Sequence, residues 1–192
     1  MALTLFININ ELTDEQYSRE MDFLCPHKRE RVLKMRFEDD RKRSLAANLA
    51  ARRAAADFLG LEEDDIAITC DGDGKPLCDE CFISLSHSGD YAVCAASSFP
   101  IGVDIEKKRE INPMLAKKIC VSDAEREYAS DNQKLLMLWS VKEACFKALS
   151  PQVDTVGDIV LEITEKGFEC GGISFIETGI VHKDYVFSLA SV

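Results

Sequence analysis

Two carboxylates, Asp104 and Glu106, stand two positions apart in the segment IGVDIE. The apolar Ile101, Val103 and Ile105 alternate with them, which predicts a strand, and a strand sends residues i and i+2 out on one face. Adjacent carboxylates repel each other unless a cation neutralises them. Hard oxygen ligands of this kind suit Mg²⁺, which takes one or two protein carboxylates and fills its shell with water and phosphate. Taken alone, D-x-E fits a solvated strand face better. A second group lies in the helix-like segment LWSVKEACFKAL. Leu138, Val141, Cys145 and Leu149 mark its apolar stripe and leave Lys142, Glu143 and Lys147 off it. Glu143 and Lys147 are four apart and share a face. They are either a helix-stabilising pair worth roughly 0.2–0.5 kcal/mol, or a third ligand or base beside a cation aimed at a phosphate. His87, between hydroxyls in SLSHSGDY, could hydrogen-bond a phosphate or be structural. Lys75 sits in the tight turn GDGKP, where solubility is reason enough for a lysine.

These residues need elements to hold them. Residues 3–9 read as a strand, followed by a helix from about Thr13, whose hydroxyl can cap it with Gln16 three positions later. After Pro26 the basic stretch HKRERVLKMR leads to an acidic turn at Asp39 and Asp40. An Ala-rich helix then runs to Gly60, well placed as a C′ glycine. Gly72 to Pro76 is a turn. Residues 81–87 and 91–97 form paired strands joined across Ser88 to Asp90. Helices are expected around 113–120 and 135–149, and strands near 158–163, 173–177 and 184–191.

The order of elements occurs twice, and residues repeat with it. Cys25, Glu30 and Arg31 share their spacing with Cys120, Glu125 and Arg126, and GDYAVCAAS at 89–97 resembles KDYVFSLAS at 183–191. Laying the halves together sets Asn8, Asn10 and Asn48 opposite Asp104, Glu106 and Glu143. Amides in one half then face carboxylates in the other, and only the second half keeps a metal site.

Composition narrows the classes. A net charge of −11 opposes a broad nucleic-acid surface, so an anionic ligand must be held by a local basic pocket. MALTLFININ has neither the basic flank of a signal peptide nor the apolar length of a membrane span. The eight cysteines are therefore read as reduced thiols in the cytoplasm. Cys78 and Cys81 form a CxxC, but a structural zinc needs four ligands and no second pair accompanies them.

In order along the chain, HKRER, GKP, SLSHS, IGVDIE and WSVKEACFKAL resemble the Sfp-type 4′-phosphopantetheinyl transferase family. Its marks are a G-(I/V)-D-(I/V)-E strand and a W-(S/T)-x-K-E-(A/S)-x-x-K helix, which stand here at 102–106 and 139–147. The resemblance covers nearly the whole chain. It implies an α+β fold, a pseudo-dimer of two similar lobes over residues 1–98 and 99–192, with the active site at the lobe interface. It also implies that Asp104, Glu106 and Glu143 hold Mg²⁺ against the pyrophosphate of coenzyme A, with Asp104, Glu143 and Lys147 catalytic. Glu143 is the implied base; Glu125 or a water is the alternative. In the first lobe Lys28, Arg31, Arg43 and Ser44 match ligands of the 3′-phosphate and adenine region, while Lys75, Ser86 and His87 would face the 3′-phosphate and pyrophosphate. The implied partner is an apo acyl or peptidyl carrier protein whose serine attacks phosphorus and releases 3′,5′-ADP. The protein is expected to be a monomer that binds neither membrane nor nucleic acid. Two rival readings are a coenzyme A-binding module without catalysis and a metal-dependent nuclease, since D-x-E with E-x-x-x-K also occurs in nucleases.

Overall fold

The computed structural model describes residues 2–72 and 74–192, with Pro113 by its backbone only. Asp73, within the expected turn at 72–76, lies outside the described residues. The chain divides into two compact units, Met1–Phe99 and Pro100–Val192.

The first unit runs β1 (Leu3–Asn8), α1 (Asp14–Phe23), α2 (Pro26–Leu33), α3 (Glu38–Leu59), β2 (Thr69–Cys70), β3 (Pro76–Leu77), β4 (Phe82–Ser88) and β5 (Tyr91–Ser97). A reciprocal capping box between Thr13 and Gln16 opens α1. At the end of α3, Gly60 takes φ +69°, the left-handed conformation that glycine adopts without a Cβ penalty. Asp39 and Asp40, expected to form a turn, instead join Glu38 in the first turn of α3, where the positive end of the helix favours acidic groups. The sheet is antiparallel in the order β1-β5-β4. Ala50, Ala51, Ala54 and Ala55 of α3 pack with Ile83, Cys94 and Ala96 of the strands, and side chains this short let the helix settle close to the sheet.

The second unit runs β6 (Ile101–Lys107), α4 (Pro113–Ile119), α5 (Asp123–Tyr128), α6 (Asn132–Leu149), β7 (Leu161–Thr164), β8 (Gly167–Cys170), β9 (Phe175–Val181) and β10 (Tyr185–Ser191). Its sheet is antiparallel in the order β6-β10-β9, and every residue of the central β10 is buried. Leu136, Leu138, Val141, Ala144 and Cys145 of α6 pack with Val186 and Ala190 of β10. The helix starts at Asn132, three residues before the expected point, because Asp131 caps it. Neither α5 nor β8 was expected. Each is too short to display an apolar period, and the only local sign of α5 is its capping box, Ser122 with Glu125. The strand expected from 158 is a 3₁₀ turn, Val156–Asp158, followed by β7.

The two units repeat one plan: the first strand pairs with the last, the preceding strand pairs from the other side, and a long helix packs across them. Register, however, corrects the alignment of the halves. Asp104 and Glu106 face Ser188 and Val186. With GDYAVCAAS laid over KDYVFSLAS, the same places on β5 are Cys94 and Ala92, which face Leu5 and Ile7. The counterparts of the two carboxylates are therefore apolar residues, not Asn8 and Asn10. Asn8 ends β1, and its side chain caps the following 3₁₀ turn by accepting from the Asn10 N–H at 3.0 Å.

Candidate active site

In the second unit the site begins at a glycine. A Cβ on Gly102 would lie 2.7 Å from the Ala148 nitrogen and would overlap the Ala144 carbonyl. Only glycine lets α6 approach β6 this closely. Trp139, Glu143 and Lys147, spaced by four, share one helix face. The two ends of this row meet the two strand carboxylates. Trp139 Nε1 donates to Glu106 Oε1 at 2.9 Å, and Lys147 Nζ donates at 2.9 Å both to Asp104 Oδ1 and to the Val103 carbonyl. Glu143 falls between them. Arg109 Nη2 approaches Glu106 Oε2 at 3.2 Å.

Burial decides between the readings left open by the sequence. Asp104 is only 4% exposed, so the strand face is not solvated. Lys147 crosses to the strand and is more than a helix-surface partner for Glu143. Burial pushes the Glu143 carboxyl above the usual range; Lys147 opposes the shift, while Asp104 and Glu106 add to it.

The three carboxylates fit a divalent cation by donor type and charge. As placed, no three His, Cys, Asp or Glu side chains among the described residues close around a metal; Asp104 and Glu106 are turned to Lys147, Trp139 and Arg109. Three anions thus face two cations, and a carboxylate oxygen can accept more than one partner. The excess negative charge and the all-oxygen donor set suit a hard ion such as Mg²⁺.

Lys142 departs from expectation. It is fully buried, ion-paired with Glu125 at 2.8 Å, and also donates to the Ile119 carbonyl. Glu125 is fully buried as well. Its Oε1 accepts from the Leu161 N–H at 2.9 Å, and its Oε2 accepts from Val121 at 2.7 Å and Ser122 at 3.3 Å. Burial alone would raise this carboxyl, but the bonds from Lys142, Leu161 and Val121, with the Lys142 charge, hold it below the usual range. Glu125 thus ties α5, α6 and the start of β7 together, which leaves it poorly placed to act as a base. Its capping-box spacing was visible in sequence; its pairing across 17 positions was not.

The first unit contains a cavity of about 310 Å³. His27, Lys28 and Arg31 of α2, Ser44 of α3, Gly74 and Pro76 of the β2–β3 hairpin, and Ser86 and His87 of β4 all line it. Five of the seven residues expected around the nucleotide therefore meet in one place: Lys28, Arg31, Ser44, Ser86 and His87. The other two do not line it. Arg43 donates to the Gly89 carbonyl at 3.2 Å and pairs with Asp40. Lys75 is exposed, between two hairpin residues that do line the cavity. His27, Met35 and Cys70 also belong to the lining, although the sequence reading assigned none of them a role. Burial lowers the pKa of Lys28; nearby Cys70 and Cys25 oppose this, and Arg31 reinforces it. Its Nζ lies 3.5 Å from Asn48 Oδ1. An ammonium in this setting gains from an incoming anion.

Comparison with known proteins places both units in one family of enzymes. Residues 11–99 match the family described as 4′-phosphopantetheinyl transferase, N-terminal, and residues 100–185 match the 4′-phosphopantetheinyl transferase superfamily. The chain is 31% identical to the 4′-phosphopantetheinyl transferase Sfp of Bacillus subtilis (strain 168), over 94% of this chain and 87% of that one. It is 27% identical to the transferase ffp of Bacillus subtilis, with the same coverage. A solved holo-(acyl-carrier-protein) synthase of Bacillus anthracis str. Ames in complex with CoA has 21% identity and a TM-score of 0.40, covering 50% of this chain and 91% of that one. Among the described residues no helix is long and apolar enough to cross a membrane. With both family signatures in order and a relative matched over nearly its whole length, the chain belongs to the Sfp-type 4′-phosphopantetheinyl transferase family and is an α+β enzyme of that class.

Proposed function

We propose that the enzyme moves the phosphopantetheine arm of coenzyme A onto a serine of an apo acyl or peptidyl carrier protein, with Mg²⁺, and releases 3′,5′-ADP. The observation that carries this reading is the meeting of Trp139, Glu143 and Lys147 on one face of α6 with Asp104 and Glu106 of β6. Asp104, Glu106 and Glu143 would hold the ion. When bound, it would offset charge on the phosphoryl oxygens of the substrate. Lys147 adds a second positive charge toward the departing phosphate. Glu143 is the acceptor for the serine proton, through a carboxylate oxygen and either directly or by way of a water. Trp139 and Arg109 fix Glu106, and the Glu125–Lys142 pair fixes the helix that presents Glu143. In the first unit Lys28, Arg31, Ser44, Ser86 and His87 bind the 3′-phosphate and neighbouring parts of the nucleotide, with Lys28 gaining most because it is partly desolvated.

Incubating the protein with coenzyme A, Mg²⁺ and a panel of apo-carrier proteins, read by intact mass, tests the reading. The expected result is a phosphopantetheine adduct on one or more carriers that depends on Mg²⁺ and disappears with chelator. Full binding of coenzyme A with no adduct on any carrier would favour a binding module without catalysis.

A further inference from the structure

All eight cysteines are free thiols, and one of them, Cys70, lines the cavity with a second, Cys25, beside it. Cys25 Sγ and Cys70 Sγ lie 3.2 Å apart although 45 positions separate them in sequence. Cys25 is the N-cap of α2 and Cys70 ends β2, so the two sulfurs join the helix that carries Lys28 and Arg31 to the hairpin opposite. Both residues are partly exposed. The other close pairs differ: Cys78 sits against Cys81 and Cys170 against Cys145, and in each the second thiol is buried away from an oxidant.

The geometry points to Cys25 and Cys70 as a thiol pair that oxidises to a disulfide at the cavity wall and thereby weakens the cavity's hold on coenzyme A. With a peroxide as oxidant the step balances. The Cys25 thiolate attacks one peroxide oxygen, the O–O bond breaks, and hydroxide leaves to give a sulfenic acid, becoming water with the proton that the Cys25 thiol had released. Cys70 sulfur then attacks the Cys25 sulfur, the S–O bond breaks, and the second water leaves with the thiol proton. Two thiols are oxidised and one peroxide is reduced. Cys25 takes the first role from its place at the N-cap of α2, three positions before Lys28. Cys70 suits the second, since burial and the neighbouring Cys25 push its thiol up to about 11 and keep it protonated. Closing the bond shortens the sulfur separation from 3.2 Å to about 2.05 Å. That draws in the first turn of α2 and displaces Lys28 from its place in the cavity lining.

The cross-link does not depend on the proposed function; the affinity change does. Reduced and peroxide-treated protein are digested without reductant and mapped by mass, and coenzyme A binding is titrated on each form. The expected map joins the peptides of Cys25 and Cys70 with the loss of two hydrogens, reversed by thiol reductant. Affinity for coenzyme A should fall about tenfold, the loss of one charge-assisted contact. Cys25→Ser, which puts a residue favoured at N-caps there, should form no such link and show no peroxide effect on affinity. Recovery of Cys25 and Cys70 as separate alkylated thiols, or a link found only at Cys78–Cys81 or Cys145–Cys170, would overturn the inference. A Cys25–Cys70 link that leaves affinity unchanged would overturn its regulatory part. If even reduced protein fails to bind coenzyme A, the nucleotide reading of the cavity fails while the disulfide stands on the map alone.

Discussion

At the residue scale, the site depends on a carboxylate whose charge the apoprotein disfavours. Glu143 is raised by burial first and by Asp104 and Glu106 next. A raised carboxyl opposes folding at neutral pH, and that cost shrinks as pH falls toward its folded pKa. Glu143→Gln should therefore leave the metal-free melting temperature unchanged or higher. It should also lower transfer about 10²- to 10³-fold, the usual scale for losing a group that stabilises developing charge. Thermal melts with and without Mg²⁺, beside a fluorescent coenzyme A transfer assay, check both; near-normal turnover at saturating Mg²⁺ would remove Glu143 from the site. Asp104 behaves differently from a carboxylate that merely repels its neighbours. It is buried and bonded to Lys147, so Asp104→Ala strands a half-buried lysine and should cost stability as well as activity. In the first unit, dephospho-coenzyme A should bind the wild type more weakly than coenzyme A. The double variant Lys28→Ala, Arg31→Ala should scarcely distinguish the two, since each charge-assisted contact is worth about 1.5–3 kcal/mol. Calorimetric titration of both ligands decides this, and a double variant that keeps the wild-type preference would move the 3′-phosphate elsewhere.

At the element scale, the contact of α6 with β6 is the critical joint. Gly102→Ala must push Ala144 and Ala148 away, and overpacking of this kind typically costs about 1–3 kcal/mol. The displacement also parts Trp139 from Glu106 and Lys147 from Asp104, so transfer should fall further than stability. Urea unfolding set against the transfer assay would show it, and equal stability with equal rate would mean the helix is not held there. The second joint is the buried Glu125–Lys142 pair. Lys142→Met leaves Glu125 buried without its cation and should cost about 3–5 kcal/mol. Because the Glu125 carboxyl is held below its ordinary value of 4.5, the pair's contribution is fully present above that pH. It is lost as pH falls through the depressed folded value. Glu125→Gln should accordingly flatten the acid side of the stability profile; a profile unchanged below pH 4.5 would assign acid unfolding to other groups.

At the scale of the whole molecule, two units each have a core of their own, one around α3 and β5, the other around α6 and β10, and the proposed chemistry is divided between them. That division makes a thermodynamic prediction. A ligand at 100 times its dissociation constant stabilises the folded state by about 2.7 kcal/mol. Coenzyme A without metal should raise the melting temperature of wild type and of Glu143→Gln alike, but not of Lys28→Ala, Arg31→Ala. Mg²⁺ alone should do the reverse. Loss of both shifts in either variant would indicate that the substitution had damaged the fold and not one site. The net charge of −11 gives the same division a reason, because an acidic protein can hold a polyanion only where local cations outweigh the rest.

Local rules were enough to read much of this protein from its sequence. Alternation placed Asp104 and Glu106 on a strand, fourfold spacing placed Glu143 and Lys147 on one helix face, and a capping box and a glycine marked the ends of α1 and α3. These signals span a few positions and depend only on the geometry of a single element. Tertiary structure decided what no single element contains. It buried Lys142 against Glu125, turned Lys147 to Asp104, brought two cysteines 45 positions apart into contact, and gathered α2, the β2–β3 hairpin and β4 around one cavity. It also fixed the strand register that replaced Asn8 and Asn10 with Leu5 and Ile7 as the counterparts of the two carboxylates. Register belongs to a pair of strands, set by which apolar faces must be buried together, and a slip of one residue turns every side chain to the other face. A sequence read along one strand cannot reveal its partner's phase.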